Sequence, residues 1–208
     1  MEIRIITNVK FAKIIADIHM KTFPGFFLTF LGKGFLTLLY KGFIKHDRSN
    51  VIGAFENDKL VGFLAYSENI SQFYKYLVKK SLLLFAWYSF LAVFRKPGVM
   101  FRLMRALTYS INCEQDDPFI ELSSIGVLPE AKNKGVGGKL IDALKNTVDR
   151  MSFKYIKLET DKINNDNVNA FYLKNGFKLN KSYTTREGRL MNEYRYEFVG
   201  NPLESIGG

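Results

Sequence analysis

The feature that most constrains the fold is an apolar run that leads through a glycine-rich turn into an amphipathic segment. The run FIELSSIGV occupies residues 119–127, and LPEAKNKGVGGKL follows at residues 128–140. The first stretch predicts a strand, and residues 135–150 predict a helix with glycines in its first turn. A strand, a glycine-rich turn and a helix together present free backbone N–H groups to a phosphate. The sequence therefore predicts a mixed α/β fold with an anion site at one helix N-terminus.

The glycine spacing does not match two well-known phosphate-binding turns. No Gly-Lys-Ser/Thr ending follows the turn, so a P-loop is unsupported. A dinucleotide-binding turn would follow the first strand of a parallel unit, whereas this turn lies past the middle of the chain, after a predicted hairpin. Considered alone, the turn is also compatible with a glycine-rich helix start that binds nothing.

The composition limits the class of protein. The chain has 208 residues, of which 47% are hydrophobic, enough for a single domain with a sizeable core. Its formal charge of +10 favours anionic ligands or surfaces. Cys113 is the only cysteine, so we expect no intrachain disulfide and no cysteine-rich metal site, and we expect no metal elsewhere. Early charges argue against a secretory signal, and basic residues do not alternate regularly with aromatic ones, so we expect a cytoplasmic protein that does not bind nucleic acid.

The remaining pattern predicts elements before and after this unit. Asn8 is the expected N-cap of the first helix, and Asn175-Gly176 the expected end of the last. The predicted helices cover residues 9–21, 31–46 and 167–174. The predicted strands cover residues 2–7, 51–55, 60–66, 155–160, 177–186 and 189–198. Short polar turns make one hairpin of 51–55 with 60–66 and another of 177–186 with 189–198.

Residues 71–113 differ in character from the rest of the chain. They include seven basic residues and no acidic one, and they contain the apolar run LLLFAWYSFLAVF at residues 82–94. Thirteen residues are too few to span a bilayer, which takes about 20. Three interpretations stay open: a buried helix or homodimer contact in an inserted subdomain, a helix at a membrane surface with lysines on anionic headgroups, or a lid over the substrate.

Two motifs in the second half of the chain resemble those of the GNAT N-acetyltransferase superfamily. The family's acyl-CoA signature, Q/R-x-x-G-x-G/A, is similar to Lys132-x-x-Gly135-x-Gly137, with lysine at the first position. Residues 165–177, NDNVNAFYLKNGF, are similar to the family's N-x-x-A-x-x-F-Y-x-K-x-G-F segment, with Val168 replacing alanine. The motifs cover residues 119–177, and the predicted elements follow the family's order.

The resemblance implies a fold. The expected domain spans residues 1–208 and has a central, mostly antiparallel mixed sheet that is splayed at its middle and flanked by helices. A helical insertion at about residues 71–113 separates the third and fourth strands. In this family the strand before the turn separates from its neighbour, and Ser123-Ser124 is the expected site of a bulge.

The resemblance also implies that acetyl-CoA is the co-substrate. The helix N-terminus and its lysines would bind the pyrophosphate, and the strand before the turn would bind the pantetheine arm. Asn165 would contact that arm or cap its helix. The residues implied at the acetyl-CoA site are Ile125, Val127, Lys132, Asn133, Lys134, Gly135, Val136, Gly137, Gly138, Lys139, Asn165 and Tyr172.

Acetyl transfer to an amine needs a base for the amine and an acid for the departing thiolate. Glu121 is the candidate base, because some family members carry a glutamate at this spacing and its apolar neighbours would raise its pKa. The alternative is a glutamate that faces solvent or pairs with a lysine. Tyr172 resembles the tyrosine that protonates the sulfur in many relatives, and simple packing is its alternative. His19 is expected to be a core or groove residue.

The acceptor is implied less directly. In this family the first two helices and their connection build the acceptor site, which here suggests contacts from Phe23, Phe26, Phe27 and Thr29. FPGFFLTFLG is similar to a GNAT branch associated with bacterial surface-polysaccharide gene clusters, which implies a small primary amine such as an amino sugar. Two alternatives are acetylation of a protein or peptide amine, and a non-catalytic module that binds acyl-CoA or a membrane.

Overall fold

A mixed sheet organises the whole of the described structure. The computed structural model of the chain describes residues 1–80, 118–186 and 188–198. Seven strands in this part form one sheet in the order β1-β2-β3-β4-β5-β7-β6. The strands are β1 (Glu2–Ile5), β2 (Ser49–Glu56), β3 (Lys59–Ser67), β4 (Phe119–Val127), β5 (Tyr155–Asp161), β6 (Lys178–Thr184) and β7 (Leu190–Glu197).

The predicted splay is confirmed at the centre of the sheet. β4 and β5 are parallel, whereas every other neighbouring pair is antiparallel. The parallel pairing begins at Phe119 opposite Tyr155 and ends at Glu121 opposite Lys157, although both strands continue beyond it. The two halves of the sheet are therefore joined at one end of β4 and β5 and open at the other.

Helices cover both faces of this sheet. They are α1 (Phe11–Thr22), α2 (Phe27–Phe30), α3 (Gly32–Lys45), α4 (residues 70–80), α5 (Val136–Thr147) and α6 (Asp166–Lys174). One core cluster joins α1, α3 and α4 to residues such as Val51 and Phe63 of the sheet. The other joins α5 and α6 to Leu64 and Ile156. Because strand residues alternate between faces, the sheet supplies a side-chain layer to each cluster.

Several predicted boundaries are wrong by a few residues. α1 begins at Phe11 with Lys10 at its N-cap, so the N-cap predicted at Asn8 is wrong. Asn8 instead forms a preceding turn in which its Oδ1 accepts a hydrogen bond from the backbone N–H of Lys10 at 3.0 Å. α5 ends at Thr147, where Val148 turns to extended backbone and packs into the core. α2 was not predicted. The predicted C-terminal glycine of α6 is confirmed, since Gly176 has φ +82°.

The inserted segment begins as expected with a helix directly after β3, at residues 70–80. The apolar run at residues 82–94 and Cys113 lie outside the described residues. Within the described ranges, no helix is both long enough and apolar enough to cross a membrane.

Candidate functional site

The open end of the β4–β5 pair is shaped by a bulge in β4. Ser124 pairs with Ala65 of β3, and Leu122 pairs with the next residue, Tyr66, so Ser123 is the extra residue. This confirms the bulge predicted at Ser123-Ser124. Leu122 lies in the core cluster under α5, while Ser124 reaches the α3 side. The bulge therefore places Ser124 on the same face as Glu121, where plain alternation would put it on the other.

The glycine-rich turn leads directly from this strand to the start of α5. Pro129–Ala131 form a single 3-10 turn, and Asn133 and Gly135 then take left-handed backbone conformations, with φ of 61° and 75°. No acidic residue lies in the first turn of α5. The unpaired N–H groups of that turn thus face outward beside a positive helix end.

The predicted acetyl-CoA residues range from exposed through half-buried to buried. The exposed ones surround the turn and are Lys132, Asn133, Lys134, Gly135 and Lys139. Lys134 forms a long surface ion pair with Glu56, at 3.9 Å. The side chain of Val136 is buried in the core, so only its backbone is available to a ligand. Ile125 and Val127 also turn their side chains toward that core.

The two sequence motifs are in direct contact. A Cβ on Gly137 would lie 3.0 Å from Cζ of Phe171, and one on Gly138 would lie 3.3 Å from Oδ1 of Asn175. Lys145 of α5 also donates a hydrogen bond of 2.6 Å to the carbonyl oxygen of Asn175. The glycines therefore allow α5 to pack closely against α6, in addition to opening the turn to a ligand.

Glu121 occupies the last paired position before the strands separate. Its Oε2 is buried and lies 3.2 Å from Nζ of Lys157, while the side chain as a whole is 18% exposed. Burial raises the pKa of Glu121 to about 7, against the opposing effect of the Lys157 ammonium. The carboxyl group is therefore buried and has a raised pKa, as expected of a base. It is also paired with a lysine, as the alternative interpretation expected.

Tyr172 lies on the opposite face of the sheet from Glu121. Its ring packs against Phe171, Phe177 and Tyr194, and burial raises the pKa of its hydroxyl above the ordinary value. No hydrogen bond to this hydroxyl is found among the described residues. Among the described residues, the contacts of the Tyr172 side chain are thus ring contacts around a protonated hydroxyl, a state compatible with a proton donor and with simple packing.

Asn165 is used within the protein. Its amide nitrogen donates hydrogen bonds to Oγ1 of Thr160 at 2.8 Å and to the carbonyl oxygen of Asp161 at 2.9 Å. The side chain does not cap α6. It ties the end of β5 to the start of α6, where Asn169 continues the same network to Tyr194. Because the amide nitrogen is engaged in these hydrogen bonds, the predicted contact with the pantetheine arm would be made by the Oδ1 of Asn165.

The predicted acceptor segment surrounds His19. Phe23 and Phe26 pack against its imidazole, with ring centroids 4.8 and 6.1 Å away. A Cβ on Gly126 would meet the Phe23 ring at 3.5 Å, so this segment reaches β4 beyond the bulge. The Thr29 hydroxyl donates to the carbonyl oxygen of Phe23 at 2.6 Å and so shapes the connection itself. Phe27 is in α2, and its side chain is not among those described.

A buried polar chain next to this segment was not predicted. Nδ1 of His19 lies 2.7 Å from the Tyr40 hydroxyl, which lies 3.1 Å from Oγ of Ser124. His19 is 1% exposed, and its burial lowers its pKa to about 4, so the ring is neutral at pH 7. His19 is therefore a core residue, as predicted, but one connected to the bulge.

No group of histidine, cysteine and acidic side chains suited to a metal ion occurs within the ranges 1–80, 118–186 and 188–198. The residues brought together at the open end of β4 and β5 are instead a carboxyl group, a lysine, hydroxyls and a row of backbone N–H groups.

Comparisons with known proteins agree with this geometry. A family model described as the acetyltransferase (GNAT) family matches residues 13–177. No curated protein is significantly similar to the chain in sequence. Among solved structures, one from Desulfovibrio desulfuricans that is assigned to the GNAT family matches with a TM-score of 0.64 and 16% identity, covering 94% of this chain and 98% of the other.

Two further structures have the same fold. Aminoglycoside 6'-acetyltransferase type Ii matches with a TM-score of 0.62 and 15% identity, over 97% of this chain and all of its own. The PaiA N-acetyltransferase from Thermoplasma acidophilum, solved with coenzyme A, matches with a TM-score of 0.55 and 15% identity, over 94% of this chain and all of its own. At such low identity these structures establish the fold.

Proposed function

The chain belongs to the GNAT family of acetyltransferases, and we propose that it transfers an acetyl group directly from acetyl-CoA to a primary amine of a small molecule. Acetyl-CoA-dependent acetylation is the activity of the family. The acceptor class and the residue roles are the proposal. The observation that supports it most strongly is the buried carboxyl group of Glu121 at the point where β4 and β5 separate.

Glu121 is the base in this proposal. A carboxyl group with a pKa of about 7 is ionised in about half of the molecules at neutral pH and is strong enough to accept a proton from an ammonium or a reacting amine. The amine nitrogen attacks the thioester carbon, the C–N bond forms, and the proton leaves the nitrogen for Glu121. A backbone N–H near Val127 would stabilise the oxyanion.

Tyr172 is the acid in this proposal. When the C–S bond breaks, its hydroxyl donates a proton to the departing thiolate. Glu121 lies at the β4–β5 gap on one face of the sheet, and Tyr172 packs on the other face, which suits an amine that arrives from one side and a thiolate that leaves toward the other. Since no protein group forms a covalent intermediate, both substrates would be bound at once.

The turn before α5 would hold the pyrophosphate of acetyl-CoA. The backbone N–H groups of Gly135, Val136, Gly137 and Gly138 are supported there by the positive helix end and by Lys132, Lys134 and Lys139, with Asn133 beside them. The open edge of β4 at Ile125 and Val127 would bind the pantetheine arm, as in the family, with Oδ1 of Asn165 as a further contact.

The acceptor would bind on the α1 side of β4, against Phe23, Phe26, Phe27 and Thr29. The described side chains of this wall are uncharged, because His19 is neutral and its described neighbours are aromatic rings and hydroxyls. It suits a small amine with apolar or hydroxylated parts, such as an amino sugar, better than a highly basic peptide.

The test is an acceptor panel assayed with acetyl-CoA. It contains amino sugars, polyamines, arylalkylamines and a lysine peptide, with release of the CoA thiol and mass gain of the amine as readouts. The proposal predicts acetylation of small amines and little of the peptide. Acetylation of the peptide alone would favour a protein acetyltransferase, and acetyl-CoA binding without transfer to any amine would favour a non-catalytic module.

A further inference from the structure

Lys157 is placed by strand register rather than by any sequence motif. It stands opposite Glu121 at the last pair of the β4–β5 ladder. Its Nζ lies 3.2 Å from Oε2 of Glu121 and 3.4 Å from Oε1 of Glu159, and 4.8 Å from the centroid of the Phe119 ring. The ammonium is therefore held between two carboxyl groups at the end of the joined half of the sheet.

We propose that Lys157 is a positioning residue that holds the Glu121 carboxyl group in place and ionised at the mouth of the β4–β5 gap. The inference rests on the proposed role of Glu121 as the base. Lys157 acts through Glu121, and the reacting atoms belong to Glu121 and the substrates.

The charges around Glu121 make its ionisation depend on the Lys157 ammonium. Burial and the carboxylates of Glu159 and Glu193 all raise the pKa of Glu121, and among the described residues Lys157 is the cation that lowers it. Tyr74, on α4, is the further titratable group coupled to this pair: burial first, and then the charges of Glu121 and Glu159, raise the pKa of its hydroxyl. Without the ammonium, Glu121 would share a partly buried region with two carboxylates, and its neutral form would dominate at pH 7.

Two other cations described on this face, Lys181 and Arg195, are already engaged. Glu193 pairs with Arg195 at 2.9 Å and with Lys181 at 3.3 Å. Arg195 also lies over the ring of Tyr155, with its Cζ 4.2 Å from the centroid. Neither cation is paired with Glu121 within the described ranges, so the loss of Lys157 would leave Glu121 without a counter-ion there.

The sign of the effect separates this role from a purely structural one. At a pKa near 7, the ionised fraction of Glu121 responds directly to any change of local charge. Removal of Lys157 raises the pKa, because the cation is lost. Neutralisation of Glu159 lowers it, because a repelling charge disappears and Lys157 then pairs with Glu121 alone. If the ion pair had only a structural role, both variants would change the stability of the protein, but the pKa of Glu121 would not shift in opposite directions.

The experiment is a pH titration of the Glu121 carboxyl carbon by NMR in the full chain, with glutamate labelled at Cδ and the signal assigned by its absence in Glu121→Gln. Lys157→Met should raise the midpoint by about 1–3 pH units. Lys157→Arg keeps the charge and should leave the midpoint within about half a unit. Glu159→Gln should lower it.

An unchanged midpoint in folded Lys157→Met would overturn the inference. If that variant fails to fold, Glu159→Gln still tests the inference. A Glu121 midpoint that stays unchanged or rises in Glu159→Gln would contradict the proposed role of Lys157. The acid limb of kcat/KM on the best amine of the panel should move with the NMR midpoint. If Glu121→Gln keeps full activity, the proposed base is wrong, while the NMR titration still reports on Lys157 by itself.

Discussion

Gly137 and Phe171 are packed so closely that a methyl group on residue 137 would lie 3.0 Å from Cζ and 3.1 Å from Cε2 of the phenylalanine ring. One residue belongs to the turn motif and the other to the second motif. The contact joins the two motifs: the turn that would bind the pyrophosphate packs against the helix that carries Tyr172.

Gly137→Val should therefore lower both the free energy of unfolding and the affinity for acetyl-CoA. The added methyl groups would push α5 away from α6, at a cost of about 1–3 kcal/mol. Urea unfolding and calorimetric titration with acetyl-CoA measure the two effects. Adding Phe171→Ala should recover part of the lost affinity, because space opens for the new side chain.

Gly135→Ala is the matched control for this prediction. Nothing lies within 4 Å of a Cβ at residue 135, so only its left-handed φ of 75° opposes the change. The expected cost is about 1–2 kcal/mol, and Phe171→Ala should not relieve it. Equal relief of both glycine variants by Phe171→Ala would contradict the packing explanation.

Tyr172→Phe should slow acetyl transfer without harming the fold. The hydroxyl makes no hydrogen bond within the described ranges, so its removal leaves no partner unsatisfied. We expect kcat to fall by about 10²-fold while the Kd for acetyl-CoA and the Tm stay close to those of the wild type. Steady-state kinetics and thermal unfolding check this.

Tyr194→Phe should show the opposite pattern, a loss of stability without a loss of activity. The Tyr194 hydroxyl donates a hydrogen bond of 2.9 Å to Oδ1 of Asn169, so its loss should cost about 1 kcal/mol of stability and leave kcat nearly unchanged. If Tyr172→Phe behaves like Tyr194→Phe, the Tyr172 hydroxyl has a packing role and another group supplies the proton.

His19 should make the protein less stable as the pH falls from 6.5 to 4. Its pKa is 6.5 when unfolded and about 4 when buried, so the unfolded chain binds the proton more strongly over this range. Its contribution to stability is complete above pH 6.5 and is lost progressively below it, by about 2 kcal/mol at pH 5.

The measurement compares urea unfolding at pH 7 and pH 5 for the wild type and His19→Gln. Other groups titrate equally in both proteins, so the difference between the two pH dependences belongs to His19. The variant should lose about 2 kcal/mol less than the wild type on acidification. Parallel pH dependences would show that the imidazole titrates normally.

The sequence predicts well those features that depend on residues close together along the chain. The splay and the bulge at Ser123-Ser124 are what the family resemblance of two neighbouring motifs implies, and the left-handed Gly176 follows from its place at the end of a predicted helix. Glu121 could be selected because its spacing to the turn is fixed within one strand. Its burial followed from its apolar neighbours in that strand.

The remaining features depend on contacts between distant segments. Lys157 faces Glu121 only because of the parallel register, for which the sequence has no signal. The members of the His19–Tyr40–Ser124 chain are 21 and 84 residues apart, and each looks like an ordinary core or strand residue in its own segment. Hydrophobic periodicity predicts which face of an element is buried, but not which polar group it meets there.

The most direct test of the account is the single-turnover rate of acetyl transfer by Glu121→Gln and the wild type, on the best amine of the panel from pH 6 to 9. Glutamine keeps the size of the side chain but cannot accept the proton. The account predicts a rate about 10²–10⁴-fold lower at pH 7, loss of the limb that rises through about pH 7, and unchanged affinity for acetyl-CoA. Glu159→Gln should keep the wild-type rate within a few-fold. A Glu121→Gln rate close to the wild type, with the same rising limb, would contradict Glu121 as the base.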